Sequence, residues 1–433
     1  MTDTLARRLA NLQDRQPATW AVTGAAARPN LHAMLRYPAM MVPKMQGDIV
    51  DTLLDYISGS SHVVDPFVGS GTVMTESLLR GLDFTGIDIN PLAILVCEAK
   101  AAIDIGADIT AAANATLQAI RFDVQDNVDV DFPGLTKWFD VSAALQLSRI
   151  RRAIMQVPDQ AARKVIWTVF TETIRLSSNS RTSTYKLHMR AEGDRVAADR
   201  ILQIFEDSLR KTLLQVAAYR KLIGDRPRRP DIKILCGDAR AIALDQKPSH
   251  HNILVTSPPY GDNQTTIPYG QFSYLALRWI PIEDLNPLAG RLTMNTNSLD
   301  SVSLGGSVKF ADVKAKQITG ISPSLDRLMQ DAAIAGTARG LRKVVSFMTD
   351  FFESLDHLRK ALPANGHWVL TTGNRTASGR TIPFDSICRE MLCYLGARPI
   401  ATVHRRLPVK RMPSKNNMGL MITTETTLVA EFH

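Results

Sequence analysis

SHVVDPFVGSGTVMTESLLRGLDFTGIDINP (61–91) decides how this 433-residue chain folds. SHVVDPF (61–67) is a short apolar run that ends in a turn, the pattern of a buried strand. TVMTESLLRG (72–81) reads as a helix closed by Gly81, and DFTGIDI (83–89) as a second strand. Strand, turn, helix and strand over about 30 residues make a βαβ unit. Gly69 and Gly71 give the turn positive φ and close backbone approach, which larger residues do not match. The helix after the turn aims free N–H groups at whatever lies over it. The chain has no GxxxxGK[ST] segment, which argues against a P-loop nucleotidase.

Working outward, the next strand of this type is DIKILCGD (231–238). The stretch between, about 140 residues, is far too long for a loop inside a compact domain and must carry its own structure. Its patterns are helical: 138–157, 162–178 and 198–223 repeat apolar residues at spacings of three and four. NSRTSTYKLHMRAEGDR (179–195) is a polar break, and GDRPRRPD (224–231) is a Pro- and Arg-rich return to the sheet. HNILVTSPPY (251–260) is a strand running into a Pro-rich turn. The Asn-, Ser- and Thr-rich region 284–340 reads as an extended loop with a weak helix near 323–333. LRKVVSFMTDFFESLDHLRKAL (341–362) is an amphipathic helix, and NGHWVLTTGN (365–374) and ETTLVAEF (425–432) are strands. Strands alternating with helices predict an α/β fold, a mostly parallel sheet covered on both faces.

An acidic residue ends each of three strands. Asp65 is placed to meet the amino group of an amino-acid moiety bound over the turn. Asp88, in GIDINP (86–91), is placed to accept both hydroxyls of a ribose, and Asp238, in CGDA (236–239), to accept from an adenine amine. With their neighbours Phe67, Thr72, Ile89 and Ala239 and the two glycines, they form a candidate cofactor site.

Together, DPFVGSGT (65–72) and TSPPY (256–260) resemble the amino-group DNA methyltransferases, which act on cytosine N4 or adenine N6. The resemblance covers roughly 30–97 and 231–433. It implies a Rossmann-like, S-adenosylmethionine-dependent sheet, here with a helical insertion. The first motif then binds the methionine part of the cofactor and the second holds the target base. The chemistry of the residues agrees. An exocyclic amine on a heteroaromatic ring is a poor nucleophile, because its lone pair is delocalised. The Ser257 hydroxyl and the Pro258 carbonyl are candidates to accept hydrogen bonds from it, pull it toward tetrahedral geometry and free that pair. Pro258 and Pro259 restrict the turn, and Tyr260 offers a face for the base. Serine at the first position of SPPY points to cytosine N4, where aspartate or asparagine is the usual adenine form; adenine N6 is the alternative. None of the four cysteines follows a proline, which disfavours C5 chemistry through a thiolate. LHAMLRYPAMMVPKM (31–45) resembles the family segment that closes over the methionine carboxylate, which adds Tyr37 and Pro38 to the cofactor candidates.

The remaining expectations follow from charge and composition. A net charge of +9 is compatible with a polyanion partner, here double-stranded DNA, with a cognate restriction endonuclease as a candidate second partner. HRRLPVKRMPSKNN (404–417) resembles a segment flanking the base pocket. Its Arg405, Arg406, Lys410, Arg411 and Lys415 are candidate phosphate contacts. On this reading 1–97 and 231–433 form the catalytic domain. The helical insertion 98–230, with 21 Lys and Arg against 16 Asp and Glu, and the loop 284–340 are candidate target-recognition elements. Four cysteines without a CxxC pair, no long apolar run and a polar N-terminus predict a reduced, cytoplasmic protein with no metal and no membrane span. Two other readings stay open. One is an RNA base N-methyltransferase, disfavoured because only about 60 residues precede the turn. The other is an inactive DNA-binding subunit, disfavoured because the cofactor and base residues are of the functional type.

Overall fold

The computed structural model describes residues 4–15, 17–21, 27–245, 250–363, 365–407 and 422–433. Its βαβ unit consists of β1 (Ser61–Asp65), the helix Thr72–Leu79 and β2 (Asp83–Asp88). β1 and β2 run parallel with Val63 opposite Phe84 and Val64 opposite Thr85. Helices cover both faces, so the strands are continuous apolar runs rather than alternating ones, and every residue of β1 is buried.

β3 (Ile232–Cys236) pairs with β2, and β4 (His251–Thr256) pairs with β1 on its other side. β5 (Gly366–Gly373) follows β4, and all five strands are parallel. A small hairpin of β6 (Arg375–Ala377) and β7 (Arg380–Ile382) leaves the end of β5. β8 (Arg398–Arg406) and β9 (Thr424–Phe432) close the sheet antiparallel, giving the order β3-β2-β1-β4-β5-β9-β8. The mainly parallel α/β sheet expected from the sequence is therefore present. Strand order reverses between β1 and β4, and in such sheets that switch point opens a crevice at the carboxyl ends of the strands.

Between β2 and β3 the chain is helical: Pro91–Asp104, Ile109–Phe122, Val141–Met155, Gln160–Ser177 and Ile201–Ile223. Gln160–Ser177 is capped by the Asp159 carboxylate, and it buries Val165, Ile166, Val169, Phe170 and Ile174 on one face. This stretch has no core of its own. Phe139 and Phe170 meet Trp279 edge-on at centroid distances of 5.5 and 6.3 Å, which joins it to the helix Tyr269–Trp279. Asp284 clamps the junction, accepting from Arg163 at 2.6–3.0 Å and from the Trp167 indole at 2.8 Å. The arginines of the return segment are staples. Arg226 binds Asp104 and the Leu78 carbonyl, Arg228 binds Asp83, and Arg229 binds the Ile105 carbonyl.

Region 284–340 differs from the extended loop the sequence predicts. The helix expected near 323–333 is present at Pro323–Ile334, and the rest is not extended but carries the helices Leu288–Leu292, Ser298–Val302 and Ala311–Ile318. The polar residues that suggest a loop are partly caps. The Ser322 side chain caps the last helix ahead of Pro323 at its first turn, and Leu325, Leu328 and Ala332 form its buried stripe. Glu390 accepts from Ser322 and Ser324 and fixes that cap to the neighbouring helix. Among the described residues, no helix is long and apolar enough to cross a membrane. All four cysteines are free.

Candidate functional site

The glycine turn after β1 is held from two sides. Gly69 and Gly71 both have positive φ, 50° and 73°. The Gly69 N–H donates to Asp88 Oδ2 at 2.8 Å, which ties the turn to the end of β2. From behind, the Lys100 ammonium donates to the Ser70 carbonyl at 2.7 Å, the Gly71 carbonyl at 3.2 Å and Thr75 Oγ1 at 3.1 Å. Lys100 is buried, and that burial pulls its pKa down to about 8. A Cβ on Gly71 would approach Cys97 Sγ to 3.1 Å, so the turn lies close against the helix beneath it.

A cavity of about 370 Å³ opens over this turn at the switch point. It brings together both halves of the expected site. Tyr37, Pro38, Phe67, Gly69 and Thr72 line it, as do Asp88, Ile89, Asp238 and Ala239. All four residues of Ser257–Tyr260 line the same cavity. Asp65 and Gly71 do not reach its wall. Asp65 is wholly buried; its Oδ1 accepts from Thr256 Oγ1 at 2.6 Å and from the Phe67 N–H at 3.1 Å. Its Oδ2 is buried without a partner, and burial pushes its pKa up to about 7. Through Oδ1 the carboxylate ties β1 to β4.

Asp88 faces the cavity with each oxygen accepting one backbone N–H at 2.8 Å, from Gly69 and from Asn90. Burial pushes its pKa up to about 6, against the pull of those bonds. Asp238 also faces the cavity, but Arg240 grips both of its oxygens at 2.6–3.0 Å. The Tyr37 hydroxyl accepts from Asn90 Nδ2 at 2.9 Å, and its ring lies 5.7 Å from Tyr269 and from Phe272.

In the Pro-rich turn the Ser257 hydroxyl donates to the Tyr260 hydroxyl at 3.3 Å, which donates to Glu425 Oε1 at 3.3 Å. Both distances exceed the usual O–H···O length, a looseness that catalytic hydrogen bonds often show before substrate arrives. Burial raises the Tyr260 phenol well above its ordinary pKa, which keeps it a neutral donor. Gly373 makes room for the ring, since a Cβ there would fall 2.7 Å from Tyr260 Cε2.

Arg405 faces inward. It is buried, donating to Glu425 at 2.5 Å and to the Trp20 carbonyl at 2.7 Å, so it braces the pocket floor rather than facing solvent. Arg406 is exposed. Lys410, Arg411 and Lys415 lie outside the described residues.

Sequence reading missed Asn90, Asn263, Arg375 and Glu425, all on the cavity wall. Asn90 had a readable signal, a capping residue before a proline at the end of β2. The other three come together only through the sheet order. Leu299, Val302, Ser303 and Leu304, from the region expected to be a loop, also line the wall.

The seven-stranded, mainly parallel sheet and its switch-point cavity are consistent with a Rossmann-like methyltransferase fold. The chain is similar to the Type II methyltransferase M.MvaI of Kocuria varians, 26% identical over 420 residues that cover 91% of this chain and 89% of that protein. No protein-family model and no solved structure matches the chain.

Proposed function

We propose that this chain is an S-adenosylmethionine-dependent DNA methyltransferase that modifies an exocyclic amine of a flipped base, cytosine N4. The observation that carries the proposal is the meeting of the glycine turn and SPPY in one cavity at the switch point. Similarity to a protein named as a Type II methyltransferase, over nearly the whole length of both chains, supports it.

The residues fit the cofactor. Asp88 offers lone pairs toward a ribose, Asp238 and Ala239 lie at the end of the next strand, and Tyr37 and Pro38 close the other side. The cofactor, when bound, supplies a methyl group on a positively charged sulfur. The chain's own groups do the rest. The Ser257 hydroxyl and the Pro258 carbonyl accept hydrogen bonds from the amine, Tyr260 stacks on the ring, the fixed turn holds the amine in line, and the one proton the methylated amine sheds passes to solvent. Reaching the cavity requires the base to leave the duplex. The helical stretch between β2 and β3 and region 284–340, whose helices reach the cavity wall, are the candidate target readers. A cognate endonuclease is a candidate partner.

The test is incubation with S-adenosylmethionine and unmethylated genomic DNA or total RNA, followed by nucleoside mass spectrometry. N4-methylcytosine in DNA is the expected product. N6-methyladenine would overturn the base assignment, and label in RNA alone, or none, the DNA reading. Ser257→Ala is expected to keep cofactor affinity and lose turnover by ~10²-fold, the range of a lost transition-state contact. Unchanged turnover would remove Ser257 from the mechanism.

A further inference from the structure

Arg375 is the cavity-lining group that the reading above leaves without a task. It opens β6, two residues past the end of β5, and its side chain is 12% exposed. Its guanidinium closes on the SPPY turn. Gly261, which directly follows Tyr260, has φ 154°, and a Cβ there would fall 2.3 Å from Arg375 Cζ. Two contacts fix the guanidinium from the protein side. Nη1 donates to Thr265 Oγ1 at 2.9 Å, and Nη2 pairs with Asp262 Oδ2 at 3.5 Å. Asp262 is itself wholly buried and is held by Thr265 and Lys343. The Arg375 Nε–H and the remaining Nη protons have no protein partner among the described residues, and the side chain faces the cavity. Burial lowers the guanidinium pKa, and Asp262 beside it offsets part of that.

We propose that Arg375 reads the acceptor edge of the flipped base, donating a forked pair of hydrogen bonds to N3 and O2 of cytosine, and thereby sets base specificity. The inference rests on the amine-methylation reading above. A guanidinium presents coplanar N–H donors that match two adjacent acceptors. Cytosine carries its amine, N3 and O2 in a row along one edge. Adenine carries its amine, N1 and then C2–H along the corresponding edge. With the amine held at Ser257 and Pro258 in either case, adenine leaves one buried charged donor facing a C–H bond. A site built to hydrogen-bond its substrate rejects the analogue that lacks the acceptor by orders of magnitude, because its own polar group is left unpaired. Serine at position 257 permits the amine of either base to bind, so discrimination falls to the group at the far end of that edge.

The test compares the wild-type full chain with Arg375→Met and Arg375→Lys. The assays are methylation of genomic DNA, cofactor calorimetry, melting temperature, and duplexes of the recognised sequence carrying cytosine or adenine at the target position. The recognised sequence is read by sequencing the product DNA. Arg375→Met is expected to lose at least 100-fold in cytosine turnover with S-adenosylmethionine affinity within threefold. Arg375→Lys keeps the charge beside Asp262 but not the fork. It is expected to lose at least tenfold on cytosine while the adenine-to-cytosine product ratio rises at least tenfold. A purely structural role would lower both products together, along with melting temperature and cofactor affinity, and that result overturns the proposal. So does a lysine variant with wild-type cytosine rate or an unchanged product ratio. A wild-type enzyme that methylates adenine or nothing fails the underlying reading before any variant is compared.

Discussion

Replacing Asp88 by asparagine separates the cost of a buried charge from the use made of it. Burial raises the Asp88 pKa from 3.8 to about 6. A raised carboxyl pKa means that the folded chain holds the proton more tightly than the unfolded chain does. Stability therefore falls as pH rises between those two values and is not recovered above them. At 1.36 kcal/mol per unit, the charge costs the folded state roughly 3 kcal/mol at neutral pH. Asparagine removes that cost. It also turns one of the two oxygens that accept from Gly69 and Asn90 into an amide donor. The backbone N–H that then faces the amide is left buried without an acceptor, which costs about 1–3 kcal/mol. The two effects oppose one another at similar size, so Asp88→Asn is expected to melt close to wild type at pH 7.5. Cofactor binding has no such compensation. Losing one charged acceptor for a ribose hydroxyl weakens affinity roughly 10- to 150-fold. Calorimetry of S-adenosylmethionine binding against pH tests both statements. Wild-type affinity should fall as pH drops through about 6, where Asp88 takes up its proton, and the variant should be flat there. Unaltered affinity in a folded Asp88→Asn variant would refute the ribose role. A large drop in melting temperature would show that the carboxylate serves the turn instead.

Asp65→Asn keeps an acceptor for Thr256 and Phe67 and relieves a carboxylate whose pKa has risen from 3.8 to about 7. Denaturant unfolding at pH 8 should show a gain of up to ~4 kcal/mol, and a loss would mean that Oδ2 has a partner when the protein is in solution. Lys100 has the opposite sign. Its pKa falls from 10.5 to about 8, so the folded chain releases the proton first and stability should rise with pH between those values. That rise should vanish in Lys100→Met, and its persistence would place it on another group. Arg406→Ala should lower the salt slope of DNA binding by about 1, the share of one phosphate contact. Arg405→Ala should leave the slope alone and lower the melting temperature, because Glu425 loses its buried partner. A reversal of the two would return Arg405 to the DNA.

The sheet was legible where the physics is local. A buried strand, a glycine turn and a helix within one short stretch leave few alternatives, and β1 to β5 fall where the apolar runs stand. Legibility ended where meaning depends on partners far along the chain. Arg405 looks like its basic neighbours in the sequence, but the antiparallel register sets it opposite Glu425 and makes it an internal brace. Asp65 stands at a strand end with no visible partner in the sequence, and β4 brings Thr256 beside it to donate to Oδ1. Region 284–340 was misread because its serines and asparagines counted as loop formers, whereas Ser322 caps a helix and short helices run between the others. In each case the residue type was right and its partner was invisible.

Those unseen partners explain how the two halves of the cavity keep their spacing. Thr256 immediately precedes Ser257, and its hydroxyl is bound to Asp65, which immediately precedes the glycine turn's Pro66. One buried hydrogen bond thus joins the first residues of the two motifs across the switch point. Asp88 repeats the device between the turn and β2, and Glu425 repeats it between Tyr260 and β9. In-line transfer tolerates little error, and a misplacement of about 1 Å can cost 10²-fold. Both motifs sit on loops, where backbone alone would let them drift. Crosslinks at their first residues set the distance before either ligand binds, and they do so through a carboxylate whose second oxygen, Asp65 Oδ2, is buried without a partner.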